Sequence, residues 1–304
     1  MTDTPESREL RCGFVAIVGR PNVGKSTLLN HLLGMKVSIV SRKPQTTRNR
    51  ILGINTRDNF QAVYVDTPGV HAREARQLNR MLNRNATAAL QGVDLAVLVV
   101  EAGRWTADDD LVLSRVKQAG VPAIAAINKV DLVPNKTELL PYLQSLSDRH
   151  AFEALVPISA ERGVNLDDLE AEIIRRLPLS ETLLFPEDQV TDRSERFLVA
   201  ELVREQLMRQ LGQEVPYSTT VEIERFRYER GVAHINAAIL VERDGQKAIV
   251  IGKGGRQLKQ IGQRARHSIE QLLGRRVYLE LWVKVREGWA DDSRALRSLG
   301  YEEG

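Results

Sequence analysis

Between residues 14 and 176, short apolar runs rich in β-branched residues alternate with stretches of helical period. The runs FVAIVG, QAVYVD, LAVLVV, AIAAIN and EALVPIS read as strands, and Lys25–Leu33 and Asp108–Lys117 between them read as helices. The strands lack strict apolar/polar alternation, as expected when helices cover both faces of a sheet. This pattern predicts an α/β domain with a mainly parallel sheet and helices on both faces. From 177 to 192 the chain reads LPLSETLLFPEDQVTD, where two prolines and a polar cluster break the period and mark a domain boundary. Beyond it, Glu195–Gln210 has helical spacing, VEIERFRYE and VAHINAAILVE flank Arg230-Gly231 as a hairpin, and a glycine loop, a basic helix to Leu273 and VYLELWVKV follow. Helix, two strands, two helices and a strand make a second, α+β domain. The expected segments are 11–178, a linker 179–192, the second domain 193–287 and a C-terminal tail 288–304.

With 304 residues, 42% of them apolar and 27% charged, the chain has ordinary globular usage for two domains. Its one cysteine, Cys12, excludes a disulfide scaffold or a multi-cysteine zinc module and predicts a reducing, cytoplasmic setting. The longest apolar stretches, Leu95–Val100 and Val121–Ile127, are far below a membrane span, and MTDTPESREL has no apolar core, so no signal peptide is expected. The net charge of +3 says little about partners. Its distribution says more: from Arg243 to Arg276 there are nine Lys or Arg against two acids, so this segment carries +7 and predicts an anionic partner.

Gly19-Arg20-Pro21-Asn22-Val23-Gly24-Lys25-Ser26, with Thr27, fits GxxxxGK[ST] between an apolar strand and a helix. Such a loop cradles phosphates with backbone N–H groups, places Lys25 on the β and γ phosphates and gives the Ser26 hydroxyl to Mg²⁺. Asp66-Thr67-Pro68-Gly69, followed by Val70, ends a second strand, where Asp66 would hold Mg²⁺ through water and the Gly69 N–H would meet the γ-phosphate. Asn128-Lys129-Val130-Asp131 ends a third strand. A carboxylate accepts hydrogen bonds but cannot donate them, so Asp131 suits the N1–H and 2-amino donors of guanine and predicts GTP/GDP rather than an adenine nucleotide. Ser159-Ala160 follows the last strand, where the Ala160 N–H is expected to face guanine O6. Ser41–Arg48 is polar and basic, the expected first switch, with the Thr47 hydroxyl, or alternatively that of Thr46, completing the Mg²⁺ shell in the triphosphate state. The expected catalytic set is Lys25, Thr47 and Gly69. In the regulatory GTPases that this half resembles, a glutamine that orients water follows the DxxG glycine; Val70 stands here, which predicts slow intrinsic hydrolysis. Resemblance to P-loop GTPases with an Asn at the position of Asn22 implies K⁺ bound there in place of an arginine finger.

In the second domain, Ile251-Gly252-Lys253-Gly254-Gly255 fits the GxxG loop of a KH module in αββααβ order. Ile251 would floor a base groove, the glycines would allow a sugar-phosphate chain to approach, and Arg256 and Lys259 would add charge. Such a site predicts RNA binding. The histidines have no ligand spacing and the tryptophans read as packing anchors. GRPNVGKST, QTTR at 45–48, DTPGVH, NKVD, VIGKGG and ELWVKVREGWADD together resemble the Era family, bacterial ribosome-assembly GTPases with a type II KH domain. The resemblance implies binding to 16S ribosomal RNA near its 3′ end, a role in assembling the small ribosomal subunit, RNA binding favoured by GTP, hydrolysis stimulated by RNA and peripheral association with the inner membrane. A monomer is expected. The alternative is a GTPase signalling switch whose KH-like domain docks a protein.

Overall fold

The computed structural model describes residues 9–41, 43, 46–68, 81, 88–212, 215–292, 295, 296 and 299. The first domain is a six-stranded sheet in the order β2-β3-β1-β4-β5-β6. Its strands are β1 (Arg11–Val18), β2 (Ile51–Arg57), β3 (Phe60–Asp66), β4 (Leu95–Glu101), β5 (Ala123–Asn128) and β6 (Ala154–Pro157). All pairings are parallel except β2 with β3. Alternate residues of β1 feed two cores. Val15 and Ile17 face Leu28 and Leu29 of α1 (Lys25–Leu33) and Leu169 and Ile173 of α4 (Leu166–Arg176). Ala16 and Val18 face Val112 and Val116 of α2 (Ala107–Ala119) and Leu146 of α3 (Leu139–Ser147). Both faces are therefore covered, and the apolar runs need no alternation.

β2 is absent from the strands expected above. Its apolar run is interrupted by Gly53, Asn55 and Thr56, and as an antiparallel edge strand it buries fewer residues than the central ones.

The second domain has a three-stranded sheet, β7 (Thr219–Glu229), β8 (Val232–Val241) and β9 (Arg276–Val285), with β7 and β8 antiparallel and β8 and β9 parallel. Helices α5 (Glu195–Gln210), α6 (Asp244–Ile251) and α7 (Arg256–Leu273) complete it. Leu202, Val203 and Leu207 of α5 share one core with Ile261, Ala265 and Ile269 of α7 and with inward residues of the sheet.

The segment expected as a linker does not hang free. Cys12 N–H donates to Pro178 C=O, Ser180 N–H to Leu10 C=O and Ile54 N–H to Val190 C=O. The Gln61 amide bonds the backbone of both Leu184 and Phe185, and the Asp192 carboxylate accepts from Leu52 N–H. The segment is a strap across the sheet edge. The expected tail also packs: Trp289, Ala290, Ala295 and Leu296 cluster with Met81 of the first domain.

Candidate functional site

The parallel strands deliver their motifs to one edge of the sheet, because β1, β3, β5 and β6 all end there. The loop after β1 turns into α1 through Gly24 at φ 106°; a Cβ there would lie 2.2 Å from Asn128 Nδ2, so only glycine fits. The Lys25 ammonium is folded into the loop, donating to Gly19 C=O at 2.9 Å and Arg20 C=O at 3.0 Å. Burial lowers its pKa to about 8, although Asp66 opposes the shift.

Asp66 is fully buried. Its Oδ2 accepts from Ser38 Oγ at 2.8 Å and Ser26 Oγ at 3.1 Å, with Thr47 Oγ1 at 3.4 Å, and Ser26 and Thr47 share a 2.8 Å hydrogen bond. Burial pushes the Asp66 carboxyl up, against the pull of Lys25 and the three hydroxyls. Its Oδ1 is buried without a hydrogen-bond partner. Two hydroxyls and an unsatisfied carboxylate oxygen, all hard oxygen donors, fit Mg²⁺, which keeps several waters and shares its remaining positions with phosphate oxygens. Among the described residues no group of three or more His, Cys, Asp and Glu could hold a metal by itself.

On the base side, Asn128 is buried and ties two loops together: its Nδ2 donates to Val23 C=O at 2.7 Å and its Oδ1 accepts from Ala160 N–H at 2.9 Å. This corrects the expectation for Ala160, whose N–H is engaged by Asn128. The Asp131 carboxylate meets Arg162 at 3.5 Å. His31 of α1 bonds Ala160 C=O, supporting the same loop from below. Lys129 has left-handed backbone, φ 67°, and pairs with Glu101 at 3.3 Å.

Arg20, expected in the phosphate loop through its backbone, has a further role for its side chain. Its guanidinium reaches Glu101, and Asp109 at 3.1 Å. Burial works against the charge of Glu101, yet Arg20 and Lys129 hold it below the usual carboxylate range. Asp109 also closes the capping box of α2 with Thr106. Glu101, Asp109 and Ser38 are absent from the sequence reading because isolated acids and serines carry no spacing signal.

A cavity of about 930 Å³ joins these parts. Pro21, Asn22, Gly24, Lys25, Ser26, Thr27, Thr46, Thr47, Asn128, Lys129, Asp131, Ser159 and Ala160 line it. Asn22 is exposed with left-handed backbone, φ 64°. Val23 and Pro68 are buried, Val130 sits in a 3₁₀ turn, and Thr67 donates to Ile17 C=O at 3.2 Å. Gly69 and Val70 lie outside the described residues. The same cavity is lined by Met208 and Arg209 of the second domain, which no motif foretold.

In the second domain, Gly252, Gly254 and Gly255 all have positive φ, and a Cβ on Gly252 would lie 2.6 Å from Gln257 Cβ. The loop thus turns tightly into α7. Lys253, Arg256 and Lys259 are exposed, and Ile251 is half-buried against the core.

A family model described as "50S ribosome-binding GTPase" matches residues 14–129, and a KH domain model matches 214–290. The chain is 58% identical to GTPase Era of Pseudomonas entomophila over 296 residues, 97% of this chain and 98% of that one. It is 58% identical to GTPase Era of Pseudomonas aeruginosa over 96% of this chain and 95% of its relative. Crystal structures of Aquifex aeolicus Era (a tyrosine-to-alanine variant) bound to GDP and aluminium fluoride, and of Era with MgGDPNP and nucleotides 1506–1542 of 16S ribosomal RNA, each superpose with a TM-score of 0.92. Each is 41% identical and covers 96% of this chain and 99% of its own. The matched span takes in both the nucleotide half and the KH half, and the chain belongs to the Era family of GTPases.

Proposed function

We propose that this GTPase is a nucleotide-gated RNA binder that grips small-subunit ribosomal RNA near its 3′ end and supports assembly of that subunit. The observation that carries the reading is the presence in one chain of a magnesium-competent triphosphate site and an exposed, basic GxxG loop. The solved relative that holds nucleotides 1506–1542 of 16S ribosomal RNA supports the choice of RNA. The "50S" of the family description attaches to a model covering only the nucleotide half, so it does not bear on which RNA the KH half reads.

In the nucleotide site, Lys25 and the N–H groups of residues 19–27, Pro21 excepted, bind the phosphates, while Ser26, Thr47 and Asp66 would hold magnesium, which would supply charge neutralisation at the phosphates. Asp131 selects guanine. Asn128 and Lys129 shape the base pocket, with Ser159 and Ala160 closing it. Thr47 and Gly69 sense the γ-phosphate, so hydrolysis releases the first switch. With Val70 unable to orient water, intrinsic turnover is slow, RNA accelerates it, and K⁺ at Asn22 supplies further charge. Gly252, Lys253, Gly254 and Gly255 take the RNA backbone, flanked by Ile251, Arg256 and Lys259.

The family resemblance also implies attachment to the cytoplasmic face of the inner membrane. That attachment is peripheral in the resemblance; among the described residues no helix is long and apolar enough to cross a membrane.

The test is binding of a labelled RNA copying the small-subunit 3′ end and of a scrambled strand, in GDP and in a non-hydrolysable GTP analogue, at fixed salt. Tighter, sequence-dependent binding in the analogue, lost on joint Lys253→Asp and Gly254→Asp substitution, is expected. Equal weak binding to both strands in both states refutes the RNA reading and moves a docked protein partner to first place.

A further inference from the structure

Helix α5 belongs to the second domain through its apolar face, yet its charged face is turned on the first switch of the GTPase domain. Glu205 is fully buried. Its carboxylate pairs with Lys36 Nζ at 2.5 Å, accepts from Val40 N–H at 3.0 Å and pairs with Arg209, one turn on, at 3.0 Å. Arg209 Nε in turn donates to Val40 C=O at 3.0 Å. One i,i+4 ion pair thus holds both backbone polar groups of a single residue. Two further contacts extend the grip: Arg204 donates to Thr46 C=O, next to Thr47, and Lys43 donates to Leu211 C=O just beyond the helix. Met208 and Arg209 line the same cavity as Lys25, Ser26 and Thr47.

A fully buried carboxylate is costly unless it is paired and hydrogen-bonded. Two of the three partners that satisfy Glu205 come from the other domain, Lys36 and Val40. The helix therefore specifies where the chain enters the switch, and with it the approach of Thr47 to Ser26 and Asp66.

We infer that Glu205 and Arg209 are positioning residues of the GTPase site, supplied by the RNA-binding domain, that anchor the chain at Val40, where it enters the first switch, and so hold that switch in the form that retains a nucleoside triphosphate. The inference rests on the proposed role of Thr47 at the magnesium site. It gives the coupling between nucleotide and RNA a physical route: α5 shares its core with α7, which begins at the GxxG loop. By linkage, whatever RNA does to α5 through that loop is felt as triphosphate affinity, and the reverse.

The experiment uses the full chain and follows release of fluorescent GDP and of a fluorescent non-hydrolysable GTP analogue, each across a magnesium titration. The readout is the ratio of the two release rates. Arg209→Ala is the first variant, because that side chain is 48% exposed and its truncation spares the core; Glu205→Gln is the second. Both are expected to release the GTP analogue faster relative to GDP by about 10-fold, inside the usual span of allosteric coupling, and to need more magnesium to retain it. Arg209→Lys, which keeps a cation beside Glu205 without the guanidinium fork, is expected to recover part of the ratio. A ratio within about 2-fold of the parent in both variants overturns the inference, as does equal acceleration of both nucleotides, which marks a damaged pocket. If the parent itself releases both nucleotides at one rate at every magnesium concentration, the reading of Thr47 fails and the inference falls with it.

Discussion

Replacing Arg48 by Met tests how much of the contact between the domains depends on one side chain. Arg48 is fully buried, and its guanidinium donates to the carbonyls of Thr219 at 2.8 Å, Pro216 at 3.1 Å and Tyr217 at 3.0 Å, with its Cζ 6.0 Å from the centre of the Trp289 ring. Methionine keeps the apolar stem and removes every donor. A buried carbonyl deprived of its donor costs about 1–3 kcal/mol. Pro216 C=O keeps the Thr219 hydroxyl at 3.0 Å, so two carbonyls lose their donor; at about 1–3 kcal/mol each, partly offset because the cation need no longer be desolvated, the loss is about 2–4 kcal/mol. The acceptors belong to one domain and the arginine to the other, so the loss falls on docking and not on either core. The assay is urea denaturation followed in parallel by tryptophan fluorescence, which includes the Trp289 signal, and by far-ultraviolet circular dichroism. The variant is expected to show its fluorescence transition at lower urea, separated from the loss of secondary structure. Coincident transitions, with stability within about 1 kcal/mol of the parent, would refute the reasoning.

The remaining predictions concern the nucleotide site and its surroundings. Asp131→Asn, which exchanges an acceptor-only group for an amide, is expected to cost GTP affinity about 100-fold and to favour a xanthine nucleotide, whose ring carries an acceptor where guanine has its amino group; unchanged GTP affinity in competition binding would exclude Asp131 from base selection. Exchanging Na⁺ for K⁺ is expected to raise the GTPase rate of the parent and not of Asn22→Ala; an equal rise in both removes Asn22 from the potassium site. Burial pushes the Tyr142 phenol up to about 12, while its hydroxyl donates to the carbonyls of Glu101 at 3.0 Å and Arg104 at 3.3 Å. The unfolded phenol ionises first, near pH 10, so the folded state binds more protons between pH 10 and 12 and loses stability there relative to Tyr142→Phe. Denaturation of both proteins at pH 9 and pH 11 measures this, and a gap independent of pH refutes it.

Much of the site was legible because its chemistry is local. Lys25 and Ser26 open the first helix, and Asp66, Asn128 and Asp131 end or follow strands, where short motifs and the apolar runs before them announce the elements and their meeting at one sheet edge. The KH loop was legible for the same reason, three glycines inside a basic helical stretch. The partners of the Arg20 side chain were not, since Glu101 and Asp109 lie 81 and 89 residues away. Nor were Glu205, Met208 and Arg209, which read as ordinary members of a helix until a second domain is laid against them. β2 escaped because an edge strand with glycine and polar residues in its interior carries too weak an apolar signal. Long-range pairing between a charged side chain and a distant backbone group leaves no periodic trace in a sequence.

The strap from Pro178 to Asp192 has a consequence for tether length. A free linker of about 14 residues would span roughly 20 Å as a random coil and let its cargo explore a wide volume. Here hydrogen bonds along the strap consume that slack as far as Asp192, and α5 begins at Glu195 with Ser194 as its cap. Arg193 is itself tied back, its guanidinium donating to Arg50 C=O, and Ser194 already caps the helix, so almost no slack remains between the halves. The RNA-binding half is therefore held close beside the GTPase half, at an effective concentration well above what the linker sequence alone suggests.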